Sequence, residues 1–262
     1  MTLYDRIGEN YTQTRKCDYR IADKILEILS FCQATTIVDI GAGTGSYALY
    51  LAERDCNVFA VEPSATMRSQ AISHPRIKWI DGYAEKLPLS DRAVNAAIVI
   101  LAFHHFQDYR QALREMVRVV GDGQIILFTY DPAMISRFWL SEYFPTLVED
   151  VESTFVPIPQ LTQEMERICD SAVNLIPFEL PQDLSDSFAA VGWSRPELYL
   201  ENGIRSGISS FAKMNKKELE TGLSKLRDDL ITGMWEQKYG YLRQLGQYDV
   251  GYRFIHTSIS IS

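Results

Sequence analysis

The chain is short of cysteine, of clustered positive charge and of long apolar runs, and each shortage removes a class of function. Its four cysteines, Cys17, Cys32, Cys56 and Cys169, stand far apart with no CxxC pair. Neither a disulfide framework nor a metal site is therefore expected. Cys56 and Cys169 sit in apolar stretches and read as small core residues. With no secretory h-region ahead of them, a reducing, cytoplasmic setting is expected. No apolar run approaches the ~20 residues that span a bilayer, so no membrane partner is expected. Lys and Arg number 26 against 34 Asp and Glu, a net charge of −8. The basic residues are scattered, whereas phosphate-backbone binding needs a basic stripe, so a nucleic-acid partner is not expected. The Lys213, Lys216 and Lys217 group reads as the solvated start of a helix. Repeats and low-complexity linkers are also missing, which makes the 262 residues one α/β domain with a cap, acting as a monomer or homodimer.

What is present centres on Thr36-Ile37-Val38-Asp39-Ile40-Gly41-Ala42-Gly43-Thr44-Gly45-Ser46. A β-branched run ends in glycines at alternate positions and is followed by a segment of helical spacing. That pattern is a strand, a tight turn and a helix whose free N–H groups face a ligand. A dinucleotide fingerprint would place a third glycine at position 46, where Ser46 stands, which counts against NAD. A second strand, Val58 to Val61, ends in Glu62 about twenty residues past the loop, where a carboxylate can take two ribose hydroxyls.

The segments VDIGAGTG, VEPS and DGYAEKLPL resemble the successive signatures of class I S-adenosylmethionine-dependent methyltransferases of the small-molecule type, such as trans-aconitate and ubiquinone-biosynthesis enzymes. The resemblance covers residues 35 to 130. It implies a Rossmann-like, doubly wound, seven-stranded, mostly parallel sheet with an N-terminal helical lid and an insert after strand 5. It further implies S-adenosylmethionine as cofactor, with Gly41, Ala42, Gly43 and Gly45 at its methionine part and Glu62 on the ribose. Pro63, Met67 and Leu101 complete the expected cofactor contacts. The family's third segment reads GDAE; here it is Gly82-Tyr83-Ala84-Glu85, so Tyr83 breaks the pattern and the adenine contact is expected at the backbone of Ala84 and Glu85. The implied divisions are 1–34 for the lid and first helix, 35–131 for the cofactor core, 132–173 for the cap insert and 174–262 for the part closing the sheet. The activity implied is in-line methyl transfer to a small-molecule acceptor, on O, N or C. A methyltransferase-like binding protein without turnover and an NAD-linked oxidoreductase are the alternatives.

Toward the acceptor the residues speak less distinctly. If residues 4 to 15 are helical, Tyr4, Tyr11 and Arg15 share one face, and Tyr11 could lie near the sulfonium while Arg15 meets a carboxylate of cofactor or acceptor. Phe103-His104-His105-Phe106 follows the fourth strand, Val94 to Phe103, at the end of the sheet where ligands bind. Adjacent side chains cannot share one pocket, and His105 is taken as the general base or acceptor-orienting group. His104 is placed with the acceptor, as are Trp139 and Tyr143 from the aromatic stretch Met134 to Phe155.

Overall fold

The computed structural model describes residues 15–30 and 35–260. Tyr11 and the expected lid helix over residues 4 to 15 therefore lie outside the described residues, apart from Arg15. Among the described residues, helices and strands alternate, except that β4 follows β3 with no helix between, through α1 (Tyr19–Ser30), β1 (Thr36–Ile40), α2 (Ser46–Ala52), β2 (Asn57–Val61), α3 (Ala65–Arg68), β3 (Ile77–Ile80), β4 (Ala96–Ile100), α4 (Tyr109–Val120) and β5 (Gly123–Tyr130). The chain continues with α5 (Leu140–Tyr143), α6 (Thr146–Thr154), α7 (Ile158–Cys169) and β6 (Val173–Pro181). It finishes with α8 (Asn202–Ser206), α9 (Ser209–Lys213), α10 (Lys216–Thr232), α11 (Met234–Tyr239) and β7 (Gln247–Ile259).

The strands form one sheet in the order β3-β2-β1-β4-β5-β7-β6. Pairing is parallel from β3 through β5, and β7 runs antiparallel to both of its neighbours. Strand order reverses between β1 and β4, so the crevice beyond their carboxyl ends is where such a sheet accepts a ligand. β4 has no polar residue because helices cover both faces there: Ala96 and Ile98 join the cluster with α1 and α2, while Ala97 and Val99 join the one with α4. The helices start where their sequences allow. The Asp108 side chain accepts from the Gln111 N–H at the head of α4, and Ser64 does the same for Met67 at α3.

Past β5 the chain builds a cap, and its extent differs from the 132–173 expected. α7 does not belong to it: Leu161 and Met165 are buried with α4 and β7 on the face of the sheet. A second stretch, between β6 and β7, supplies α8 to α11, and α10 and α9 pack on α5 and α6. The reason lies in three large side chains, Trp193, Tyr199 and Trp235, all fully buried and clustered around Trp139. The two stretches share one core and neither could bury its aromatics alone.

Candidate active site

β1 delivers the glycine turn. Gly41 and Gly43 have φ of +74° and +59°, a region that a Cβ disfavours. At Gly41 a Cβ would stand 2.5 Å from that of Ala102, so the loop after β1 lies tight against the loop after β4. β2 delivers Glu62, which is 6% exposed. Its Oε2 accepts from the Gly43 N–H at 2.9 Å and its Oε1 from the Ser64 N–H at 2.8 Å. The acid thus braces the glycine loop as well as facing the crevice.

That crevice is a cleft of about 300 Å³ lined by Gly41, Gly43, Glu62, Pro63, Met67, Tyr83, Ala84, Glu85, Leu101 and His105, with Ile40, Gly82, Ile100, Ala102, Phe106 and Gln107. Two expected members are absent from its wall. The N–H of Ala42 is spent on the Val61 carbonyl. Gly45 is required by the protein itself: its φ is +83° and a Cβ there would be 2.5 Å from the Trp79 ring. The Glu85 carboxylate accepts from the N–H groups of Gln107 and Asp108. Tyr83, more than half exposed, stands at the rim.

Asp39, beneath the loop, is buried, and its carboxyl is pushed up to about 7, first by burial and then by the charge of Glu62. An unfolded Asp titrates near 3.9, so between about 4 and about 7 the folded chain holds a proton that the unfolded chain has lost. Stability from this group is greatest at the acid end and falls as pH rises through that window, by at most ~1.4 kcal/mol per pH unit. Asp39→Asn is expected to flatten this part of the stability profile in urea unfolding. An unaltered slope would place the titration elsewhere.

A second cavity, of about 80 Å³, adjoins the first. Its walls come from the cap, with Phe138, Leu147, Val151, Phe155, Phe188, Ile208 and Phe211, and from the sheet, with Tyr130 and Tyr252. Leu101 belongs to both cavities. It carries φ of +53°, a left-handed backbone that costs a branched residue roughly 1–3 kcal/mol. Its N–H is fixed to the Phe128 carbonyl at 2.9 Å.

The histidines divide between the cavities: His104 lines the second, on the acceptor side where it was expected, whereas His105, expected as the base or acceptor-orienting group, lines the first. The chain turns through a 3₁₀ segment at Phe103–His105, which swings successive side chains about a third of a revolution apart. His104 enters the second cavity and stacks on Phe155, centroids 4.2 Å apart. His105 faces the first. The His105 ring meets water along the cleft yet has protein on most sides, and burial, then Lys213 and Arg15, pull it down to about 4. Burial holds His104 well below the usual imidazole range too, with the neighbouring His105 charge as the next cause.

Three other residues expected at the acceptor behave differently. Trp139 lies inside the cap, its Nε1–H donating to the Trp193 carbonyl at 2.8 Å. Tyr143 is likewise interior, its hydroxyl donating to Asp229 at 2.8 Å. Both were aromatics in the right stretch, but the second half of the cap buries them. Arg15 does line the second cavity, but it is paired with the buried Asp186, so its charge is already answered within the protein. Phe188, Ile208 and Phe211 were not anticipated, since no spacing marks a wall assembled from 188–211. Tyr252 had only the alternation of β7 to signal it.

A methyltransferase domain family model matches residues 38–128. A crystal structure described as that of a methyltransferase from an antibiotic biosynthesis pathway of Anabaena variabilis is 46% identical, with a TM-score of 0.90 over 94% of this chain and 100% of that one. Among curated relatives, a demethylmenaquinone methyltransferase of Thermotoga maritima is 27% identical over 53% of this chain and 64% of its own. A ubiquinone/menaquinone biosynthesis C-methyltransferase of Rubrivivax gelatinosus is 38% identical over 33% and 36%. The chain thus matches less than two thirds of the length of these two. The fold and cleft are those of a Rossmann-like transferase, and the chain belongs to the class I S-adenosylmethionine-dependent methyltransferases of the small-molecule type. It is an enzyme, and its cofactor is S-adenosylmethionine. The cleft fits that group: a glycine turn open to close approach, an acid on the neighbouring strand and an apolar wall at Met67 and Leu101. No helix among the described residues is long and apolar enough to cross a membrane.

Proposed function

We propose that the protein methylates a small planar aromatic acceptor of the quinol type, held in the second cavity. The observation that carries this reading is Leu101, a single residue forming the common wall of the cofactor cleft and of a chamber lined by aromatic rings. A flat ring stacks favourably among such side chains, and the names of the Thermotoga and Rubrivivax relatives point to quinone substrates.

The cofactor supplies an activated methyl group on a positively charged sulfur. What this chain must do is hold the acceptor at bonding range and exclude water. In this reading Gly41 and Gly43 receive the amino-acid end of the cofactor, Glu62 the sugar, and Met67 with the Ala84 and Glu85 backbone the base. The cap supplies the wall of the acceptor chamber opposite the sheet. Arg15 holds the cap down through Asp186, and Trp139 and Tyr143 keep the cap in shape.

The test is incubation with isotope-labelled S-adenosylmethionine and a panel of quinols, phenols, amines and carboxylates, read by mass spectrometry. Label is expected in the ring-hydroxylated compounds. Transfer to an aliphatic amine or carboxylate alone would sink the acceptor assignment.

A further inference from the structure

The acceptor chamber is walled mainly by apolar side chains, with Arg15, Ser209 and Ser210 among its polar members, and two of its polar atoms have nothing to bond. His104 Nδ1 and the Tyr130 hydroxyl are both buried without a hydrogen-bond partner among the described residues. Both residues line the chamber. Phe155 ties them together, stacked on His104 at 4.2 Å and edge-on to Tyr130 at 5.8 Å. They come from different elements, the turn after β4 and the end of β5. A buried polar group left unbonded is costly. Two in one small chamber mark places that a ligand fills.

We propose that His104, not His105, is the catalytic residue on the acceptor side, its Nδ1 accepting a hydrogen bond from a ring hydroxyl and then its proton, while the Tyr130 hydroxyl donates to a second oxygen on the same ring. This deepens the quinol reading above and rests on it. The chemistry it selects is a planar ring bearing a hydroxyl and a second oxygen substituent. A neutral imidazole is suited to the first role. It keeps an acceptor nitrogen when its other nitrogen carries the proton, and its burial keeps it uncharged until the hydroxyl arrives.

The step balances. The hydroxyl proton moves to Nδ1, and the electron pair it leaves makes the new bond to the methyl carbon, at the oxygen or through the ring at the adjacent carbon. The carbon–sulfur pair stays on sulfur. One positive charge is lost at sulfur and one appears on the imidazole, so the enclosed site changes no net charge. In C-methylation the ring proton at the substituted carbon is lost afterwards to water.

A binding experiment separates this from the quinol reading itself. Calorimetric titration of the complex with S-adenosylhomocysteine would compare 4-nitrophenol with 4-nitrotoluene, which has the same outline but no hydroxyl. The wild type is expected to prefer the phenol by about tenfold, the worth of one such hydrogen bond. His104→Phe keeps a flat ring against Phe155 and is expected to abolish the preference with S-adenosylhomocysteine affinity unaltered. Tyr130→Phe is expected to weaken binding of both nitro compounds about equally, because it removes the donor to the nitro oxygen that they share. Equal binding of the two compounds by the wild type, or a preference that survives His104→Phe, would overturn the assignment. If neither compound binds while S-adenosylhomocysteine does, the aromatic-acceptor reading falls and this inference with it.

Discussion

Gly43→Val is expected to cost at least about a hundredfold in S-adenosylhomocysteine affinity, close to 2.7 kcal/mol at about 1.4 kcal/mol per tenfold. Two causes add. The backbone at φ of +59° is a true outlier for a β-branched residue, so the loop must distort. Gly43 also lines the cleft, so a branched side chain would occupy ligand volume. Distortion has a further effect, because the Gly43 N–H is the group that Glu62 holds at 2.9 Å. Calorimetry on the folded variant is the measurement, with circular dichroism as the check on folding. Gly43→Ala, smaller and less strained, should fall between the wild type and the valine variant. Affinity unchanged in the valine variant would remove this turn from the cofactor site.

Asp186→Ala is expected to destabilise the protein by about 3 kcal/mol or more in urea unfolding, the range seen when one partner of a buried ion pair is removed. Asp186 is 1% exposed and accepts from Arg15 and from the Tyr47 hydroxyl. Burial pushes its carboxyl upward, and Arg15 and Tyr47 pull against that. Truncation would leave the Arg15 guanidinium, 14% exposed, facing a methyl group. The same corner is stitched further: the Asp18 carboxylate accepts from the Ser185 N–H, and Arg20 reaches both Asp18 and Asp183. The pair Arg15→Met and Asp186→Leu together should recover most of the loss, because apolar side chains of similar size can replace a buried pair at little cost. A loss below about 1 kcal/mol for Asp186→Ala would mean that the pair is not the latch described here.

The cofactor half of the molecule was legible in the sequence because it is local. Val38 to Ser46, Glu62 and Gly82 to Glu85 each sit at the end of one strand, and strand ends are what hydrophobic runs and glycines announce. Even there two positions misled. Gly45 looks like a ligand contact but answers to Trp79, which is 34 residues away and carries no mark of the pairing. Ala42 lies between two cleft residues but spends its N–H on β2. The acceptor half was obscure because it is assembled at long range. Trp139 and Tyr143 are bulky aromatics in the stretch after β5, and nothing nearby in the chain shows that Trp193, Trp235 and Asp229 will enclose them. The two histidines turned on a single torsional detail: a 3₁₀ turn, rather than a strand or an α-helix, sets which ring faces which chamber.

Gln182 and Gly246 bracket the later portion of the cap, and the Gln182 N–H donates to the Gly246 carbonyl at 2.9 Å. That excursion of more than sixty residues therefore departs and returns through one doorway on the β6–β7 hairpin. Loop-closure entropy grows only slowly with length, so the hairpin tolerates a passenger of almost any size at this point. A replacement roof could enter by the same doorway, but it would have to cover Trp139 and answer Arg15 as this one does through Asp186.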